Sequence, residues 1–257
     1  MSGKDQTDLG GKRGTFLTTH WSLIEGIRAG DDKGPALIGV LLERYWKPVY
    51  CYLRRKGYDN EEAKDLTQAF FSEIVLGKEL LQQADRGKGR FRSFLLTALH
   101  NYLINVRDKE TAQKRVPKGC LVPLDTLDPE ALPAVADDLS PDDCFNHVWV
   151  SSLLERALHE VEMSCHEDDK AVYWKVFEER VLQPIVEEAE PPSVKDICGR
   201  YGIPDGAKLA NMIVTVKRRI RAAMERLVQE SVMSADEATD ELQEMGRFFP
   251  RIAQNLQ

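Results

Sequence analysis

Apolar residues at Ala63, Leu66, Phe70, Ile74 and Val75 recur near the 3.6-residue period, so this stretch predicts a helix with one core-facing stripe. Asp59-Asn60-Glu61-Glu62 marks its start. The Asp59 carboxylate can accept from the third backbone amide while Glu62 reaches back to the Asp59 amide. Glu61, Asp65, Gln68 and Ser72 then fall on the outward face. A second pattern, from Arg90 to Arg107, turns Phe91, Phe94, Leu95, Ala98, Tyr102 and Val106 inward, and Arg92, Ser93, Thr97, His100, Asn101 and Asn105 outward. This helix is expected to run on through Lys109, Lys114 and Arg115, which prolong a basic track.

The flanking pattern is also helical. A Thr18-Thr19 cap before Leu23, Ile24 and Ile27 predicts a short helix, in which His20, with no second His or Cys at metal spacing, caps or packs. Leu37, Leu41, Leu42, Tyr45, Trp46, Val49 and Leu53 keep helical spacing across Pro48, where a kink or a restart is expected. Arg54-Arg55-Lys56-Gly57 closes that helix with positive charge at the negative end of its dipole and a glycine beyond. Residues 116–140 hold four prolines among acidic residues and show no amphipathic period, which reads as a linker. Ser140-Pro141-Asp142-Asp143 then starts a helix carrying Phe145, Trp149, Leu153, Ala157 and Val161, and another follows from about Asp169 with Val172, Tyr173, Val176 and Phe177.

Ser193 and Asp196 cap a further helix that buries Val194, Ile197, Cys198 and Tyr201. Gly202-Ile203-Pro204 makes a tight turn, and Asp205 caps a helix with Leu209, Ile213, Val216, Ile220 and Leu227 inside. Two helices so joined are a helix-turn-helix candidate, with an ordinary helical hairpin as the other reading. Lys208, Asn211, Thr215 and Arg218 lie along one exposed stripe, followed by Lys217, Arg219 and Arg221. Donors in the first half can meet base edges and the arginines beyond can hold phosphates. From Asp236 a last acidic amphipathic helix carries Leu242, Met245, Phe249, Ile252 and Leu256.

Charge changes the picture. The chain of 257 residues has a net charge of −7, which taken whole disfavours nucleic acid. Its distribution does the opposite: residues 43–115 hold fifteen Lys and Arg against ten Asp and Glu, residues 120–192 four against eighteen, and residues 193–231 eight against four. Two basic modules around an acidic stretch suit a two-handed DNA binder, since only the local field at the phosphates matters; solvated surface is the plainer reading of the same runs. Length exceeds a single domain of ~150 residues by a wide margin, which favours two domains. The basic, glycine-rich loop from Ala84 to Arg92 lacks the Lys-Ser or Lys-Thr order of a phosphate loop, so nucleotide hydrolysis is not indicated. Cys51, Cys120, Cys144, Cys165 and Cys198 have no paired spacing and read as reduced thiols. No apolar run approaches the ~20 residues of a membrane span, so a cytoplasmic protein without membrane insertion is expected.

Three stretches, Tyr45-Trp46-Lys47-Pro48-Val49-Tyr50, Glu61-Glu62-Ala63-Lys64-Asp65-Leu66-Thr67-Gln68-Ala69-Phe70-Phe71 and Gly89-Arg90-Phe91-Arg92-Ser93-Phe94-Leu95-Leu96, together resemble the second conserved region of bacterial RNA polymerase sigma factors of the extracytoplasmic-function type. The helix-turn-helix, with Lys217-Arg218-Arg219-Ile220-Arg221, is similar to the fourth region of the same family. Three positions depart from the family pattern: Ala69 stands where a glutamate is usual, and Ala210 and Thr215 where Lys and Arg are frequent.

The resemblance implies an all-α chain of two small helical domains: residues 15–115, a linker 116–140, residues 141–232 with the helix-turn-helix, and a C-terminal helix in 233–257. It implies that Glu61, Asp65, Gln68 and Ser72 dock on core RNA polymerase, with its β′ and β subunits as partners. It implies further that Arg90, Arg92, Thr97, His100, Asn101, Asn105, Arg107, Lys114 and Arg115 melt and read the minus-ten promoter element. Lys208, Asn211, Thr215, Lys217, Arg218, Arg219 and Arg221 would read the minus-thirty-five element, and an anti-sigma factor is a further possible partner. No catalytic residue, metal or cofactor is expected, because no nucleophile with its base and no metal spacing stands out. Two rivals stay open: a stand-alone helix-turn-helix regulator, and a helical nucleic-acid enzyme, which needs an acidic metal cluster.

Overall fold

A computed structural model describes residues 34–76, 90–112, 139–232 and 234–250, and every regular element among them is helical. The predicted helix at residues 18–27, the glycine-rich loop up to Gly89, Lys114 and Arg115, the linker as far as residue 138, and Ile252 and Leu256 of the predicted last helix lie outside the described residues.

Helix α1, Gly34–Arg55, passes through Pro48 without restarting. The lost hydrogen bond is tolerated because Tyr45, Trp46, Val49 and Tyr50, on both sides of the proline, are buried together. Gly57, at φ 103°, closes α1 in a left-handed turn in which the Gly57 amide donates to the Arg54 carbonyl at 3.1 Å and the Tyr58 amide to that of Leu53 at 3.2 Å. Helix α2, Asn60–Leu76, opens on the anticipated reciprocal cap: the Glu62 amide donates to Asp59 Oδ1 at 2.8 Å and the Asp59 amide to Glu62 Oε2 at 3.0 Å. Helix α3 spans Phe91–Ala112.

The second half repeats this logic. Ser140 accepts from the Asp143 amide at 3.1 Å and Pro141 takes the first helical position of α4, Pro141–Glu167. Helix α5, Ala171–Phe177, widens into a π-helical turn at Glu178–Leu182 and ends in the short α6, Gln183–Val186. Ser193 caps α7, Val194–Tyr201, by accepting from the Asp196 amide at 3.1 Å, and Asp205 caps α8, Gly206–Gln229, by accepting from the Lys208 amide at 2.7 Å. Ser234 does the same for α9, Ala235–Met245.

Packing joins the halves more than it separates them. The most extensive helix pairing is α1 on α4, with α8 laid on α4 and α5, α2 on α1, and α9 on α8. A single core therefore runs through Tyr45, Tyr52 and Leu53 of α1, Phe70 of α2, Phe91 and Leu99 of α3, Phe145 of α4 and Ile220 and Leu227 of α8. The Tyr45 and Phe91 rings meet edge to face at 5.2 Å, as do Phe70 and Tyr102 at 5.5 Å. One buried cluster thus draws on helices from both halves, with a satellite of Val176, Ile197, Ile203, Leu209 and Met212 under the α7–α8 turn. Polar links follow the same seams: Arg55 Nε donates to the Leu139 carbonyl at 2.8 Å, and Arg44 pairs with Glu230 at 2.7 Å.

Two sequence expectations are corrected here. Val194, expected inside, is exposed and lies over the Gly206 backbone, where an added Cβ would meet its methyl at 3.1 Å. Cys198 and Tyr201 are only half-buried, packing against the edge of the satellite core whose centre Ile197 occupies.

Candidate nucleic-acid interface

The start of α3 is where cations and carboxylates from distant parts of the chain meet. Two arginines stand at the positive end of a helix dipole, and the first turn of α3 contains no acid to offset them, so the local sequence leaves a deficit of negative charge. Carboxylates from α9 fill it. Arg92 Nη2 donates to Glu241 Oε2 at 3.0 Å and its Nε donates to Glu241 Oε1, a bidentate fork, while Arg92 Nη2 also reaches Glu244 at 3.0 Å. Arg90 pairs with Glu241 at 2.9 Å and with Glu244. Asn146 of α4 accepts from Arg92 Nη1, and the guanidinium lies over the Trp149 ring at 5.2 Å.

Arg92, expected on the outward face, is therefore buried, with 5% of its side chain exposed, and Glu241 is buried completely. The cause is a carboxylate far along the chain whose approach no local period can announce. Burial alone would lower the Arg92 pKa, but its bonds to Glu241 and Glu244 outweigh that and raise it. Burial alone would likewise raise the Glu244 carboxyl, and Arg92 and Arg90 together hold it below the usual carboxylate range.

The rest of the α3 set divides. Ser93, Thr97, Asn101, Asn105 and Arg107 are exposed, with the Thr97 hydroxyl donating to the Ser93 carbonyl at 2.9 Å. His100 is half-buried, its Nε2 at 3.0 Å from Asp142 of α4 and its ring 5.4 Å from that of Tyr52. On α2, Glu61 and Asp65 face solvent while Gln68 and Ser72 are half-buried, and Glu61 pairs with Lys64 at 3.3 Å.

Helix α8 has the opposite character. Lys208, Asn211, Arg218 and Arg221 are exposed, and Thr215 and Lys217 half-buried. Lys208 rests its ammonium 5.9 Å over the Tyr173 ring, and Thr215 donates to the Asn211 carbonyl at 2.8 Å. Arg219 turns inward, donating to Ser164 Oγ at 3.0 Å and pairing with Asp168; that bond raises the Arg219 pKa and lowers that of Asp168. The six outward donors and Arg219 thus share a helix but not an environment.

Glu241, Glu244, Asn146 and Trp149 were missed as site residues. The signal was present for Glu241, which falls at helical spacing between Ala238 and Met245, a carboxylate set within an apolar stripe. Cys51, Cys144 and Cys165 are buried free thiols and Cys198 is half-buried. Among the described residues no cluster of His, Cys, Asp and Glu could hold a metal ion, and no helix is long and apolar enough to cross a membrane. No family model, no curated protein and no solved structure matches this chain.

Proposed function

We propose that the chain is a sigma factor of the extracytoplasmic-function type, which binds core RNA polymerase through α2 and directs it to promoter DNA through α3 and α8. The observation that carries this reading is the α7–α8 helix-turn-helix: α7 ends at Gly202 in the left-handed region, φ 63°, and α8 opens on an Asp205 cap. Beyond that cap Lys208, Asn211 and Arg218 stand exposed where a recognition helix meets base edges and phosphates. The solvent-facing Glu61 and Asp65 on α2 support the docking role, because an acidic face without core duties is free to meet a partner.

A second reading, a stand-alone helix-turn-helix regulator, draws on the burial of Arg92, which removes one cation from the α3 track while leaving α8 intact. Co-purification with bacterial core RNA polymerase separates the two. The sigma reading expects a stable complex that initiates at promoters, and Asp65→Arg is expected to weaken it at least ~10-fold, about 1.4 kcal/mol. The same change is expected to leave thermal unfolding nearly unmoved, since exposed substitutions mostly stay within ~0.5 kcal/mol. Tight duplex binding by the free protein with no polymerase complex would establish the regulator instead.

A further inference from the structure

The grip of α3 on α9 reaches beyond the assignment of the two basic helices. Arg90 and Arg92 form a paired guanidinium fork at a helix N-terminus, a chemistry suited to any oxyanion, phosphate or carboxylate. The chain fills that fork with Glu241 and Glu244, the second of which remains a third exposed, as Arg90 remains a quarter exposed. Arg92 would keep its seat without them, because Asn146 and the Trp149 ring hold it from α4. The fork is thus preformed on one side and covered by α9 on the other. The cover is secured at both ends: the Phe91 amide donates to the Ser231 carbonyl at 3.2 Å just ahead of α9, and just beyond it the Phe249 ring stacks on His147 at 4.8 Å.

We propose that α9 is an autoinhibitory clamp, whose Glu241 and Glu244 carboxylates occupy the Arg90–Arg92 fork in place of nucleic-acid phosphate until a single strand displaces them. The inference rests on the reading of α3 as a strand-binding helix. It accounts for a carboxylate set into the apolar stripe of α9, and for two cations at a helix start that lacks an acid of its own. Competition is between like chemistries: a phosphate diester oxygen can accept from the same Arg90 and Arg92 donors that Glu244 Oε2 bridges, so strand binding and α9 docking exclude each other at this fork.

The experiment uses the full chain and a fluorescein-labelled single-stranded oligonucleotide, with anisotropy read across a salt series. Glu244→Gln is expected to tighten strand binding about tenfold, one charge-assisted hydrogen bond's worth. It is also expected to steepen the log–log salt slope by ~0.7 for each arginine contact recovered. Arg90→Ala in the Glu244→Gln background is expected to remove the gain. Unchanged affinity and slope in a folded Glu244→Gln protein, or a gain that survives Arg90→Ala, overturns the clamp. Glu241→Gln is a second variant, and because Glu241 is fully buried its circular dichroism is measured alongside; Glu244→Gln alone decides if it unfolds. Polymerase co-purification is scored separately. A strand-binding gain without a polymerase complex keeps the clamp and ends the sigma reading, and a polymerase complex without the gain does the reverse.

Discussion

The start of α3 and the first half of α8 carry similar local sequences, cations and small donors on a helix face, yet they meet opposite environments. At α3, Arg92 is folded into the interior against Glu241, a partner 149 positions away in sequence. Along α8, Lys208 and Arg218 stay at the surface, while Arg219 turns inward to pair with Asp168 at the rim of α4 and Arg226, farther along, pairs with Glu160 of α4. Exposure of a charged residue is thus decided by which distant element covers it, and the covering element here is α9. Composition alone ranks the two regions together; geometry ranks them apart, one as internally neutralised and one as displayed.

The widest separation between them should appear in stability. Arg92→Ala leaves the fully buried Glu241 with only Arg90 for a counter-charge and removes the cation packed on Trp149, so a loss of about 3–5 kcal/mol is expected in urea unfolding, the cost of breaking a buried pair from one side. Arg219→Ala, whose partner is half exposed, is expected to cost no more than ~1 kcal/mol. Equal losses in the two variants would break the comparison, since they would place both arginines in the same electrostatic setting.

What could be read in advance follows from how far each interaction reaches along the chain. Caps are local, closed within three residues, and so Asp59 with Glu62, Ser140 before Pro141, Ser193 with Asp196 and Asp205 were all legible and all form. Helical stripes were legible too, down to Phe70, Tyr102 and Ile220. The all-helical class follows from those two signals. What faces each stripe was not legible, because period reports that a residue points inward and is silent on what it points at. So α1 finding α4, and Arg92 finding Glu241, came only with the tertiary arrangement. On α8 the stripe of Lys208, Asn211 and Arg218 was legible because its residues stay exposed, Lys208 even where it rests over the Tyr173 ring, while the inward pairing of Arg219 was not legible because its partner Asp168 lies at the end of another helix.

A smaller effect is expected from pH, and it bears on what holds α9 in place. Burial lowers the His147 pKa, and its ring stacks on Phe249 beyond the end of α9. Between that lowered value and the ordinary imidazole value of about 6.5, the unfolded chain takes up a proton that the folded chain refuses, so stability rises with pH through this window and is lost as pH falls below about 6.5. Melting temperatures of the native chain and of His147→Gln, compared between neutral and mildly acidic pH, should therefore converge on the acidic side. Parallel curves would mean that the stacked ring is not the group that titrates.

The smallest expected change is in the stability of the displayed helix, and it is informative because it is small. Lys208 and Arg218 are exposed, and neither is part of the core that α8 builds from Leu209, Met212, Val216 and Ile220. Replacing both by Ala also substitutes the residue of highest helix propensity, so the shift in unfolding free energy should stay within ~0.5 kcal/mol. Only the weak contact of Lys208 with the Tyr173 ring is lost, about 0.5–1 kcal/mol at an exposed site, and the propensity gain partly offsets it. The same double variant should act on duplex DNA at low ionic strength, where each phosphate contact removed flattens the log–log salt slope by ~0.9. A stable protein with a flattened slope separates binding from folding on α8, which Arg92→Ala cannot do on α3, where the cation serves the core. If instead the double variant unfolds early, or binds duplex DNA with an unaltered slope, then the stripe on α8 is ordinary surface and the contrast between the two basic regions lies only in burial.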